Sequence, residues 1–155
     1  MAHNPVNHPL RPIYRALSAL SGAYLVLFGI FGVIQTADDG LFGNGDDRVL
    51  GQHTNLFWSI ASLLLGALVL IAYAIGRNVD THVDKYVGWG LLVIGSYGLA
   101  VIRTDANFLN FSISTVVVTY LVGLVLIMAG LYSKVAPAAE AGAPRQERER
   151  QAQSA

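Results

Sequence analysis

The residues best suited to chemistry lie in two polar segments, each of which leads into a long apolar run. The first segment ends with a threonine and an asparagine, and the second reads RTDANFLNFS from Arg103 to Ser112. Their amide, hydroxyl, guanidinium and carboxylate groups are donors and acceptors that can converge on a polar pocket between two loops. We predict such a polar cluster from six residues: Thr54, Asn55, Arg103, Asp105, Asn107 and Asn110.

The second polar segment also has a purely structural explanation. Arg103 can extend towards a membrane interface and pair with Asp105. Either Asn110 or Ser112 can cap the helix that follows, because both side chains accept hydrogen bonds from free backbone amides. Asn107 can close the turn. A ligand pocket and a self-contained loop therefore remain alternatives for the same side chains.

The first polar segment, QTADDGLFGNGDDRVLGQHTN, holds four aspartates and a histidine. Carboxylates are ligands that Ca²⁺ prefers, but the glycine and terminal glutamate of an EF-hand loop are absent. His53 has the chemistry of a general base or a pH-sensitive contact, yet the sequence places no nucleophile beside it. We expect a flexible acidic loop with no metal site and no catalytic residue.

Composition excludes several classes of function. The chain has no cysteine, which excludes disulfides, thiol catalysis and cysteine metal sites. Its long apolar runs contain no Asp, Glu, Lys, Arg or His, whereas haem needs axial ligands and proton-coupled transport usually needs a buried ionisable group. The formal net charge of zero gives no reason to expect nucleic acid. We expect no cofactor and no enzymatic activity.

Four apolar runs must position these segments, at about 17–34, 56–75, 86–102 and 113–132. About 20 residues of helix cross a hydrocarbon core of about 30 Å. Hydrophobic residues make up 54% of the chain and charged residues 13%, against about 25% charged in ordinary soluble domains. The sequence predicts an all-α polytopic membrane protein, a bundle of four transmembrane helices.

The charges predict how the chain is oriented. Eight of the ten cationic residues fall in the N-terminal segment, the second connection and the C-terminal tail, which share one side of a four-span chain. The positive-inside rule then places both termini in the cytoplasm. Arginine outnumbers lysine eight to two and alanine is abundant, a bias that fits a high-GC bacterial genome. We expect a bacterial inner-membrane protein with a cytoplasmic arm at 1–13, a helical domain at 14–135 and a disordered cytoplasmic tail at 136–155.

Small residues recur along one face of each predicted helix. Small side chains allow helices to approach closely in lipid, where the ordinary hydrophobic driving force is missing. These faces either close the bundle or dock a second copy or another membrane subunit. The two halves also share a Gly-x-x-Gly and a threonine–aspartate connection, so two similar hairpins are a further possibility. The predicted packing residues are Ser18, Gly22, Gly29, Gly32, Ser62, Gly66, Gly95, Gly98, Thr119 and Gly123.

Several polar motifs carry a family resemblance. They are PLRPIYRALS before the first run, HTN before the second, GRNVD after it, and TDANFLNFS with LVGLVLIMAGLY around the fourth. Over roughly residues 9–135 the chain resembles a bacterial family of four-span membrane proteins known only as a domain of unknown function. The resemblance implies an inner-membrane protein with four spans, and it implies no activity, cofactor or substrate.

Two function hypotheses follow. The first is a non-enzymatic integral membrane protein, a structural or accessory subunit of a homo-oligomer or larger membrane complex. Its partners would be the lipid bilayer and either itself or other membrane subunits. The second is a channel or transporter for an uncharged small solute, with a path lined by Ser59, Ser62, Thr115 and Thr119.

Overall fold

The computed structural model describes residues 6–137, 150, 153 and 154. The predicted all-α bundle of four helices is confirmed, with one small two-stranded sheet added to it. Most of the predicted disordered tail lies outside the described residues. The elements are α1 (Arg11–Thr36), β1 (Arg48–Val49), β2 (Gln52–His53), α2 (Leu56–Ile75), α3 (Val79–Val101) and α4 (Ile113–Tyr132).

Three of the helices, α1, α2 and α4, are long and apolar enough to cross a membrane. Helix α3 has 23 residues, which is also sufficient length, but Asp80, Asp84 and Lys85 occupy its first two turns. These charges, with the glycines and tyrosines that follow, keep α3 below the apolarity of a membrane span that the other three helices reach. Its apolar part coincides with the predicted third run.

The segments just before α1 and just after α4 meet at one end of the bundle. The Asn7 backbone N–H donates to the Lys134 carbonyl at 2.9 Å, and the Asn78 side-chain amide donates to the Val135 carbonyl at 2.9 Å. We call this the terminal end, and the opposite end, which carries residues 37–55 and 102–112, the loop end. Because α1 starts and α4 finishes at the terminal end, the helices run alternately up and down.

Capping residues set the limits of α2 and α4, which begin and end where the sequence predicts. The Asn55 side-chain oxygen accepts from the Trp58 backbone N–H at 2.9 Å. Ser112 forms a capping box with Thr115 at the start of α4, so Ser112 rather than Asn110 is the cap. Helix α2 ends at Gly76, whose φ of 63° favours glycine.

The other two helices begin earlier than predicted. Helix α1 starts at Arg11 rather than near Leu17, and α3 starts at Val79 rather than at Tyr86. The second connection is only the turn 76–78, in which all three residues have positive φ. The predicted runs counted apolar residues only, so they excluded the polar first turns of both helices.

The helices pair as two hairpins, with the most extensive contacts between α1 and α2 and between α3 and α4. A Cβ atom added to Gly29 would lie 2.6 Å from the Leu63 nitrogen, and one on Gly66 would lie 2.6 Å from the Gly22 carbonyl oxygen. The backbones of α1 and α2 are therefore in direct contact at these glycines. Gly32 likewise faces the Ser59 side chain.

The two helices of the second hairpin are also in contact through glycines. A Cβ atom on Gly88 would lie 2.7 Å from the Gly123 carbonyl oxygen, so α3 and α4 also touch through their backbones. Gly98 makes room for the Phe111 ring, whereas Gly95 is in ordinary contact with Thr119. The small-residue faces predicted from the sequence are thus occupied within the chain at these positions.

The short sheet lies between the hairpins at the loop end. Strand β1 contacts α1 and strand β2 contacts α4, and the intervening Leu50 and Gly51 have φ of 50° and 79°, as a tight two-residue hairpin turn requires. The Thr115 hydroxyl donates to the His53 carbonyl at 2.8 Å. This non-helical backbone is tolerable near lipid because its polar groups are paired within the protein.

Replacing Gly29 with alanine is expected to lower the free energy of unfolding by about 1–3 kcal/mol, because the new methyl group must push α1 away from α2. Gly95 is the matched control, since a Cβ atom there would meet its nearest atoms at an ordinary 3.6 Å. Gly95→Ala should be neutral or stabilising by up to about 1 kcal/mol through helix propensity. Denaturant unfolding in mild detergent measures both, and equal effects would contradict backbone contact at Gly29.

Candidate functional site

Polar residues meet at the loop end, where two asparagines join the two loops and a third closes its own turn. The Asn55 amide donates to the Phe108 carbonyl at 2.7 Å. The Asn110 amide donates to the carbonyls of Gly45 and Thr54, both at 2.9 Å. The Asn107 side chain both accepts from and donates to the backbone of its own turn. We call Thr54, Asn55, Asn107 and Asn110 the loop cluster.

Four of the six residues predicted for a polar pocket belong to this loop cluster. Asn55 is 1% exposed, Thr54 1% and Asn110 9%. The other two, Arg103 and Asp105, have exposed side chains, and no ion pair joins them in the described part of the chain. The expected Arg103–Asp105 pair is therefore not formed, because both side chains point into solvent from the exposed turn after α3.

The side chains of the loop cluster form their hydrogen bonds with other groups of the protein. The Thr54 hydroxyl lies 2.9 Å from the Ser59 hydroxyl, which donates to the Asn55 carbonyl at 2.7 Å. Amides that bond to backbone carbonyls hold the loops in register, and they are then not free to bind a ligand. The geometry favours a structural role for these asparagines.

The acidic loop brings two carboxyl groups together. A hydrogen bond with Asp47, and then repulsion from its charge, raises the pKa of Asp39 above its ordinary value. Within the described residues, no group of three or more histidine, aspartate or glutamate side chains comes together to hold a metal ion. The side chain of His53 is half-buried, and its backbone is held by α4.

A small cavity lies among the four helices beneath the sheet. Its volume is about 10 Å³, about the smallest space that holds one water molecule. Ser62 lines it with a buried hydroxyl that has no hydrogen-bond partner among the described residues. Gln52 also lines it and donates to the Tyr24 hydroxyl.

A second polar group lies at the terminal end and was not expected from the sequence. Arg15 Nε on α1 is 2.9 Å from Asp80 Oδ2 on α3, although the N–H is not aligned for a hydrogen bond. Arg15 also donates to the Tyr73 carbonyl of α2 at 2.6 Å, and its guanidinium lies 4.6 Å from the centre of the Tyr73 ring. One cation thus joins three helices.

Asp84 lies one turn beyond Asp80, and the Ser18 hydroxyl donates to its Oδ1 at 2.8 Å. We call Arg15, Ser18, Asp80 and Asp84 the Arg15 cluster. Ser18, Asp80 and Asp84 are each 1% exposed, and both aspartates precede the apolar part of α3, which begins at Tyr86. Burial raises the pKa of Asp84 to about 7, the Asp80 charge adds to the rise, and Ser18 and Arg15 oppose it.

The sequence contained a signal for the Arg15 cluster. Asp80 and Asp84 are four residues apart and Arg15 and Ser18 are three apart, so each pair shares one face of a helix. The predicted runs began at Leu17 and Tyr86, which assigned three of the four residues to solvated segments. Their burial depends on α1 and α3 extending beyond their apolar parts and packing there.

The family comparison agrees with this architecture. The model of the family described as Domain of unknown function (DUF4383) matches residues 15–132, which includes all four helices except the first turn of α1. The chain belongs to this family. No curated protein matches it, and no solved structure matches it. The match includes both the loop cluster and the Arg15 cluster of this DUF4383 protein.

Asn110→Ala is expected to destabilise the DUF4383 fold by about 1–3 kcal/mol, because it leaves the buried Thr54 carbonyl and the half-buried Gly45 carbonyl without their donor. Asp105→Ala is the control from the same loop, and its exposed side chain should change stability by no more than about 0.5 kcal/mol. Thermal unfolding in detergent distinguishes them. A neutral Asn110→Ala would contradict a structural role for the loop cluster.

Arg15→Gln should destabilise the protein by about 2–3 kcal/mol. Removing one partner of a fully buried pair costs about 3–5 kcal/mol, and the Arg15 side chain is 27% exposed, so solvent reduces the loss. Adding Asp80→Asn should restore part of the stability, which a double-mutant cycle in detergent measures. Arg103→Gln, at an exposed and unpaired arginine, is the control. Purely additive losses would contradict the pair.

Proposed function

We propose that this protein is a non-enzymatic structural subunit of the bacterial inner membrane, and that it associates with a second copy of itself through α3. The observation that carries the proposal is the outward face of α3. Of the four helices, α3 is the one that does not reach the apolarity of a membrane span. A helix of this kind gains the most when another protein surface replaces lipid along it.

The outward face of α3 has the composition of a helix contact. Tyr86, Trp89 and Val93 are 76%, 59% and 67% exposed, and Gly90 beside them has open space where a side chain would lie. Further along, the exposed Ser96 hydroxyl lies 2.8 Å from the Tyr120 hydroxyl. Small residues and hydroxyls are the groups that bring membrane helices together.

Three of the four hydroxyls predicted to line a solute path are paired within the protein, which supports a structural role. Ser59 and Thr119 each donate to a carbonyl of their own helix region at 2.7 Å, and Thr115 donates to His53. The cavity volume is about 10 Å³, which leaves no space for a solute larger than water. A channel for an uncharged solute would require the bundle to open, so that alternative remains a prediction.

We also propose that the terminal end faces the cytoplasm. Arg11, Arg15, Arg77, Lys85 and Lys134 gather there, whereas Arg48 and Arg103 belong to the loop end. This asymmetry supports the positive-inside orientation.

Single cysteines test the association, and the chain contains none of its own to interfere. Val93→Cys on α3 is compared with Leu64→Cys on α2, because these side chains are 67% and 64% exposed. In native membranes under oxidising conditions, we expect a disulfide-linked dimer from Val93→Cys and little from Leu64→Cys. Native mass spectrometry of the wild type in mild detergent should show the same dimer.

Equal cross-linking at both positions would indicate random collision and contradict an α3 contact. A strictly monomeric wild type together with no cross-linking at Val93→Cys would reject the self-association. Cross-linking of Val93→Cys to a different membrane protein would retain the structural role but replace the second copy with another subunit.

A further inference from the structure

The Arg15 cluster has two buried carboxyl groups and one cation. Asp80 and Asp84 are each 1% exposed, and Arg15 provides the ion pair in the described part of the chain. An unpaired ionised carboxylate in a protein interior costs several kcal/mol. The cluster is electrically neutral only when one of the two carboxyl groups holds a proton.

The geometry identifies Asp80 as the ionised member. Its Oδ2 lies 2.9 Å from Arg15 Nε, and its Oδ1 accepts from the Thr81 backbone N–H at 3.0 Å. It also occupies the first turn of α3, where the free amides and the helix dipole stabilise negative charge. Three separate interactions therefore favour the anion at Asp80.

In the described part of the chain, Asp84 lacks the ion pair and the backbone donor that Asp80 has. Its hydrogen-bond donor is a neutral hydroxyl, Ser18, at 2.8 Å, and it lies one turn further from the amino end of the helix. The nearby cation, Arg15, already contacts Asp80 and the Tyr73 carbonyl. A neutral carboxylic acid is the form of Asp84 that this arrangement tolerates best.

The charged and titratable groups around Asp84 come from three helices. Helix α1 presents Arg15, α2 presents Tyr73 beneath the guanidinium, and α3 presents Asp80 and Lys85. Helix α4 packs against this turn through Gly130, where an added Cβ would lie 2.6 Å from Lys85 Cγ and 2.8 Å from the Thr81 carbonyl oxygen. Lys85 is thus turned towards α4, while Asp84 faces Ser18 on α1.

We infer that Asp84 is a proton-binding site, and that its proton holds α1 against α3 at the terminal end of the bundle. The proton comes from the aqueous phase on that side and returns to it. When Asp84 loses the proton, two carboxylates one helical turn apart share one guanidinium, and water must approach to solvate the extra charge. The packing of α1 against α3 around Asp84 then loosens, while the Ser18 hydroxyl still donates to the carboxylate.

The inference goes beyond the proposed structural role and does not depend on self-association. It also predicts the sign of a pH effect. The folded protein binds the Asp84 proton more tightly than the unfolded chain does. Asp84 therefore adds most to the free energy of unfolding below the ordinary pKa of a carboxyl group. That contribution is lost as pH rises from about 4 to about 7. Above that range the contribution no longer changes.

Infrared spectroscopy of the full-length protein in lipid vesicles tests the site directly. The carbonyl stretch of a protonated carboxyl group is followed from about pH 4 to about pH 9, a range that spans the ordinary and raised values for aspartate. We expect a protonated band that disappears with a midpoint near pH 7 and is missing in Asp84→Asn. Asp105→Asn, at an exposed aspartate, should leave the band unchanged.

Two further measurements keep the test decisive if Asp84→Asn does not fold. Ser18→Ala removes a donor to the carboxylate, so the midpoint of the band should move to higher pH. The thermal midpoint of the wild type should fall between pH 5 and 7 more than that of Asp84→Asn, and in Ser18→Ala the fall should continue to higher pH. No protonated band above about pH 5 in the wild type, or an identical band in Asp84→Asn, would overturn the inference.

Discussion

Backbone contact between paired helices is the interaction on which the rest of the structure depends. In lipid, the hydrophobic effect does not drive helices to associate, so close packing must hold them together. Gly66 packs against Gly22 in the first hairpin, and Gly88 packs against Gly123 in the second. A side chain on Gly66 or Gly88 would prevent so close a contact between the helix backbones. Once the hairpins are this tight, their loops and the segments that flank α1 and α4 lie close enough to exchange hydrogen bonds.

The two ends of the bundle satisfy their polar groups by different chemistry. At the loop end, Asn55 and Asn110 bond to backbone carbonyls of the opposite loop, and the short sheet is paired within the protein. At the terminal end, Asn7 and Asn78 hold the segment after α4 by similar amide bonds. The buried charges of the Arg15 cluster have no counterpart at the loop end within the described residues.

The sequence predicted those parts of the fold that depend on neighbouring residues. The limits of α2 and α4 follow from local caps, and the small-residue faces follow from helical spacing. The β1–β2 sheet was not predicted, because its two-residue strands are too short to show alternation and depend on α1 and α4 for support. Asp80 and Asp84 were assigned to a connection, because their burial depends on packing against Ser18 and Arg15, which lie far away in sequence.

The candidate sites follow the same division. The asparagines of the loop cluster were identifiable because they interrupt an otherwise apolar sequence, but their partners are carbonyls, which no sequence pattern marks. The Arg15 cluster differs because its members are ionisable and its charge balance depends on pH. Neutral amide bonds at the loop end do not respond to protonation, whereas a buried acid paired only with a hydroxyl does. The proton response that we infer for Asp84 therefore belongs to the terminal end, between α1 and α3.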